Sequence, residues 1–184
     1  MSSYTRNQKE EMMKAAAAGD GEALMALVQQ YGVDIAAADL DGIGSTALHY
    51  ITYNADDAAA SGEAIAQLIA AAGAAIDIDA REKWGGRTPI HYASAKGNLH
   101  HVRALLRCRA SVDVKNDSGD TPTSRCRAFG GANKANKAAI LALLSDPASA
   151  SASASSHTIA PDERLTLAYS LPVEGAPTFR PENG

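Results

Sequence analysis

The chain has 184 residues, 46% hydrophobic, 5% aromatic and 21% charged, with a formal net charge of −4. Such a length holds one domain with a tail, and its alanine-rich apolar share suits thin stacked helices better than a large sandwich core. No window approaches the roughly 18 apolar residues needed to cross a bilayer, and Met1 to Arg6 lacks the apolar stretch of a signal peptide, so a cytoplasmic protein is expected, with the nucleus also open to it.

In chain order, residues 7–38 read as an N-terminal cap unit. Residues 12–18 supply one helix, Gly19-Asp20 the turn, and Leu24, Leu27 and Val28 the apolar face of a second, before Gly32-Val33-Asp34-Ile35. The second unit, 39–80, carries Asp41, Gly44, Thr46, Leu48 and His49. It spans 28 residues from Thr46 to Ala74, against 22 from Thr88 to Ala110 in the next unit, so six residues are inserted around 54–62.

The third unit, 81–115, is the most regular. Trp84-Gly85-Gly86-Arg87 forms its turn, Thr88 is placed to cap a helix, and Pro89 takes the first position, where a missing N–H costs nothing. That helix ends at Gly97, a residue tolerant of the left-handed conformation. Leu99, Val102, Leu105 and Leu106 give the second helix one buried face, and 110–114 is predicted to leave it in extended form. In the fourth unit, 116–146, Thr121-Pro122 persists, Thr123 and Ser124 stand where Leu and His would, and 130–135 is expected to be expanded.

From Pro147 the composition turns to an alternating Ala/Ser run, so 147–184 is predicted to be a flexible, low-complexity tail. Within it Leu165, Leu167, Tyr169, Leu171 and Val173 alternate at strand spacing. The alternative is therefore a short extended segment that docks on the repeats or on a partner.

Ser45-Thr46-Ala47-Leu48-His49 and Arg87-Thr88-Pro89-Ile90-His91 are near-copies, and the worn Asp120-Thr121-Pro122-Thr123-Ser124 follows the second by 33 residues. A fixed period of this length marks a solenoid whose units share one core. The third unit resembles the ankyrin repeat: Gly86, Thr88, Pro89, Ile90, His91, Ala93, Gly97, Val102, Leu105, Leu106, Ala110 and Val112 all fall at the family's offsets. The resemblance implies an all-α ankyrin solenoid over 7–146, of stacked helix-turn-helix units with β-turn or hairpin tips. It also implies that His49 and His91 hydrogen-bond across neighbouring turns.

Members of that family usually bind other proteins on the concave face of turn tips and first helices. Carried over by position, the candidate contact residues are Ile43, Ser45, Tyr53, Asn54, Trp84, Arg87, Lys96, Asp117, Ser118, Asp120 and Phe129. Trp84 leads them, being the single tryptophan and sitting at a turn tip with little reason to be buried. The implied protein is a monomeric, non-enzymatic module with another protein as partner, no membrane contact and no cofactor.

Charge distribution supplies the alternative. Residues 1–80 hold 3 Lys/Arg against 12 Asp/Glu, whereas 81–145 hold 12 against 4. Arg103, Arg107, Arg109, Lys115, Arg125, Arg127, Lys134 and Lys137 make a basic C-terminal half that would suit a nucleic acid or another anion, although stacking aromatics are few there. Catalysis and metal binding find no pattern. His100 and His101 point about 100° apart on a helix, Cys108 and Cys126 read as ordinary thiols in a reducing compartment, and no nucleophile elbow or phosphate loop is present. The sequon at Asn116-Asp117-Ser118 has no consequence without export.

Overall fold

A computed structural model describes residues 4–128 and 134–149. Their helices pair in sequence: α1 (Arg6–Ala18) with α2 (Gly21–Tyr31), α3 (Ala47–Asn54) with α4 (Ala59–Ala72), α5 (Pro89–Lys96) with α6 (Leu99–Arg107), and α7 (Pro122–Ala128) with α8 (Lys137–Ser145). First helices stack in the order α1, α3, α5, α7, and second helices in the order α2, α4, α6, α8. These pairs lie in one compact unit, Met1–Ser153. Phe129, residues 130–133 of the expansion expected at 130–135, and the segment 150–184 lie outside the described residues, the alternating Leu165 to Val173 stretch among them.

The core is a continuous run of aliphatic side chains. Met12, Leu24, Leu48, Ile51, Ile65, Leu68, Ile90, Leu105 and Ile140 are fully buried, each burial contributing about 1.5–3 kcal/mol. Between them Ala16, Ala47, Ala64, Ala93 and Ala104 are buried methyl groups, which let neighbouring helices pack closely. The many alanines thus serve the stack rather than dilute the core.

Local signals set the helix ends. Thr5 and Gln8 cap α1 reciprocally, and the Asp20 carboxylate accepts the Ala23 N–H at 3.0 Å to start α2. Between these helices Gly19 has φ 67°, and a Cβ there would stand 2.8 Å from Ser61 Cβ of the next unit. Only glycine meets both demands.

The second unit's net six extra residues are a link longer by two and a second helix longer by five, less one residue between that helix and Ala74. The link 55–58 has four residues where the third unit uses only Gly97 and Asn98, and α4 has 14 residues against 9 in α6. This longer link carries Asp57 to the start of α6, where Oδ2 accepts the Leu99 N–H at 2.9 Å and Oδ1 the His100 N–H at 2.8 Å. A carboxylate from one unit thereby caps a helix of the next, meeting orphan donors and the positive end of the dipole. Asn136 extends the clasp to the fourth unit, its Nδ2 donating to Asp57 Oδ2 at 3.1 Å and to the Gly97 carbonyl at 3.2 Å.

Of the β-turn or hairpin tips that the resemblance implies, the turns form, and there is no strand among the described residues. Each closes as a turn, with Leu40 N–H on the Ser45 carbonyl, Glu82 N–H on Arg87 and Asn116 N–H on Asp120, at 3.0, 3.1 and 2.9 Å. Neighbouring tips share single bonds, from Lys83 N–H to the Ile43 carbonyl and from Asp117 N–H to the Gly85 carbonyl. Side chains take the remaining donors: Asp39 accepts from Gly42 and Gly44, Asp41 from Ile43 and Ser45, and Asn116 from Ser118 and Asp120. N–H groups engaged in this way are lost to a ladder. Residues 112–113 likewise form a bend rather than extended chain.

Candidate protein-binding groove

Thr46 and Thr88 begin α3 and α5, and the histidine three positions later returns to each cap. In the third unit His91 Nδ1 accepts from the Thr88 N–H at 3.2 Å and from its hydroxyl at 2.8 Å, while Nε2 lies 3.0 Å from the Asp120 carbonyl. His49 does the same with Thr46 and with the Arg87 carbonyl, at 3.2, 3.0 and 3.1 Å. Because a carbonyl only accepts, Nε2 carries the proton and both rings are neutral donors to the next tip. Burial holds both below the usual imidazole range. In the fourth unit Ser124 takes over the cap, accepting from the Thr121 N–H at 3.0 Å.

These clasps fix the second and third tips over α3 and α5 and leave a groove of about 340 Å³ between them. Its floor and walls are Asp41, Ile43, Ser45, His49, Tyr50, Tyr53, Asn54, Trp84, Arg87 and Tyr92. Tyr53 and Tyr92 meet edge to face with centroids 5.4 Å apart, and the Tyr92 edge also contacts His49. Lys96 Nζ stands 4.2 Å from the Tyr53 centroid, and the Arg87 guanidinium 5.8 Å from that of Tyr92, both cation–π distances.

Trp84 is 81% exposed, Tyr53 50% and Ile43 38%. The tip holds Trp84 out through Glu82, a carboxylate only 2% exposed that accepts the Trp84 N–H and, at 3.2 Å, the Arg87 N–H. Opposite, Tyr50 donates to Asp41 Oδ2 at 3.1 Å; burial first, and then the negative charge of Asp41, pushes its hydroxyl up to about 12. Burial raises the Asp39 carboxyl, but the Gly44 N–H, the Lys83 ammonium at 3.0 Å and the Gly42 N–H outweigh it and hold it below the carboxylate range.

Six of the eleven positions read from the sequence, Ile43, Ser45, Tyr53, Asn54, Trp84 and Arg87, line this one groove. Ser45 does so as a buried residue, and Lys96 flanks the groove through Tyr53. Asp117, Ser118 and Asp120 belong to the third-to-fourth tip instead, where Asp117 pairs with Arg81 at 2.7 Å and Asp120 with Arg125 at 3.6 Å. Phe129 lies outside the described residues. Tyr50 and Tyr92, which the sequence reasoning passed over, complete the aromatic surface; their signal was the tyrosine recurring one residue after each clasp histidine.

Elsewhere, Ser61 Oγ lies 2.8 Å from His101 Nε2, and Asn98 Nδ2 donates to His101 Nδ1 at 3.2 Å. The set has the look of a nucleophile with its base. Yet Ser61 is 4% exposed, and its hydroxyl is within reach of the Asp56 and Ala58 carbonyls at 2.6 and 2.9 Å, so it joins units two and three. No group of three or more His, Cys, Asp or Glu arranged for a metal occurs among the described residues, and none of their helices is long and apolar enough to cross a membrane. Of the basic residues, Arg103 and Arg107 lie on α6, Lys115 leads into the third-to-fourth tip, and Arg125 pairs with Asp120 at 3.6 Å.

Stacked helix pairs with histidine-clasped tips define a helical repeat protein of the solenoid class. The sequence model of the ankyrin repeats, in three copies, matches residues 55–150, and the chain belongs to that family. Ankyrin repeats generally mediate protein–protein interactions.

Proposed function

We propose that this chain is a non-enzymatic protein-binding module that takes its partner in the groove between the second and third tips and helices α3 and α5. The observation that carries this is Trp84, 81% exposed beside Ile43 and Tyr53 at the mouth of an aromatic-lined cleft. An aromatic of this size buries about 150–250 Å² when covered, which makes it the natural anchor of an interface. In this reading the protein acts as a cytoplasmic or nuclear monomer and needs neither cofactor nor metal.

The test is Trp84→Ala in the full chain, with the partner first identified by affinity capture. Calorimetric titration is expected to show binding weakened by more than about 1 kcal/mol, with stability within about 0.5 kcal/mol of the parent. A variant that melts several degrees lower but binds normally per folded molecule would place the interface elsewhere.

A further inference from the structure

The acidic and basic groups around the groove are not equally engaged. Asp41 accepts two backbone N–H groups and the Tyr50 hydroxyl, Glu82 accepts the Trp84 and Arg87 N–H groups, and Asp39 is paired with Lys83. Neither Arg87 nor Lys96 is in ion-pair contact with a carboxylate of the described residues, although Glu82 and Asp120 stand near enough to act on the Arg87 charge. Arg87 reaches only the Tyr92 hydroxyl, at 3.4 Å, and its buried Nε–H has no acceptor, while Lys96 rests on the Tyr53 ring. A guanidinium held against Tyr92 and an ammonium held against Tyr53, neither of them in an ion pair, fit a carboxylate, which a guanidinium binds with two parallel bonds.

Resting on the reading of this groove as a protein-binding site, we propose that its partner presents an extended acidic segment. It carries two carboxylates that flank an apolar side chain. The Arg87 guanidinium, the Tyr92 ring, the Tyr53 ring and the Lys96 ammonium follow one another at 5.8, 5.4 and 4.2 Å, so the two charges lie within about 15 Å of each other. An extended peptide covers that distance in about four residues, at about 3.3 Å each. One carboxylate meets Arg87 beside Trp84, the second meets Lys96, and the residue between them packs on Tyr53 and Tyr92. Charge complementarity selects the partner, and the aromatic surface supplies the apolar contact.

The experiment selects a displayed random nonapeptide library on the full chain and titrates the enriched synthetic peptides, following the emission of Trp84, the single tryptophan. Expected are sequences with Asp or Glu four positions apart around an apolar residue. They should shift the Trp84 emission and bind roughly tenfold or more weakly to R87Q and to K96E. K96E, a surface change, serves where R87Q unfolds. Enrichment of neutral or basic peptides that shift Trp84, or of none that are acidic, overturns the acidic assignment and leaves the groove as a protein site. Peptides that bind without altering Trp84 overturn the groove itself. Competition by a single-stranded oligonucleotide, steeply weakened by salt, overturns both in favour of phosphate.

Discussion

Replacing His91 by alanine removes a fully buried ring that serves two units at once. The Thr88 N–H loses its 3.2 Å acceptor and the Asp120 carbonyl its 3.0 Å donor. A buried polar group left without its partner costs about 1–3 kcal/mol. Thr88 is fully buried, whereas water can reach the half-buried Asp120 tip, so the two losses with the vacated ring volume come to about 2–3 kcal/mol. Glutamine separates the two roles. The chain already contains such a cap, since the Thr5 N–H donates to Gln8 Oε1 at 2.8 Å. His91→Gln should therefore keep the cap, lose the bond to Asp120, and recover about 1 kcal/mol relative to His91→Ala. Urea unfolding of the full chain at pH 7.5, followed by far-ultraviolet circular dichroism, measures both. An alanine variant within about 0.5 kcal/mol of the parent, or a glutamine variant as damaged as alanine, refutes the clasp.

Two further outcomes are expected. Burial holds His49, His91 and His101 below their ordinary range, so the unfolded chain binds more protons; their contribution is complete above about pH 6.5 and is lost as pH falls through the folded values, by up to about 1.4 kcal/mol per pH unit for each. Melting temperatures between pH 8 and pH 5 check this, a flat profile from 7 to 5 contradicting the neutral rings, while the Asp39 contribution persists to lower pH because its carboxyl is held down. Asp57→Ala should destabilise by about 1–2 kcal/mol and speed amide exchange at Leu99 and His100, whose N–H groups it leaves without their carboxylate; unchanged exchange there would remove its capping role.

What the residues disclosed in advance was mostly local. Thr88, Pro89 and Gly97 set the ends of α5, and Leu105 and Leu106 its partner's buried face, because caps and helical spacing act within a few positions. Trp84 was legible because a turn tip has nothing to cover it. The Asp57 clasp was not, since it joins residues 42 and 43 positions apart and depends on how an inserted link is routed. Likewise the Tyr53–Tyr92 contact forms only when α3 and α5 stack. At the tips the resemblance left a β-turn or a hairpin ladder open, and the turns form. Asp39, Asp41 and Asn116 consume the donors such ladders require.

The histidine clasps also give the stack a polarity. Each ring is held by its own unit and reaches only toward the C-terminal neighbour, from His49 to Arg87 and from His91 to Asp120. Peeling away the fourth pair therefore strips His91 of its acceptor and opens that side of the ring to water, which moves its basicity up toward the ordinary range. Peeling from the first pair orphans no clasp of this kind. Mild acid is therefore expected to favour fraying of the C-terminal edge over the opposite one.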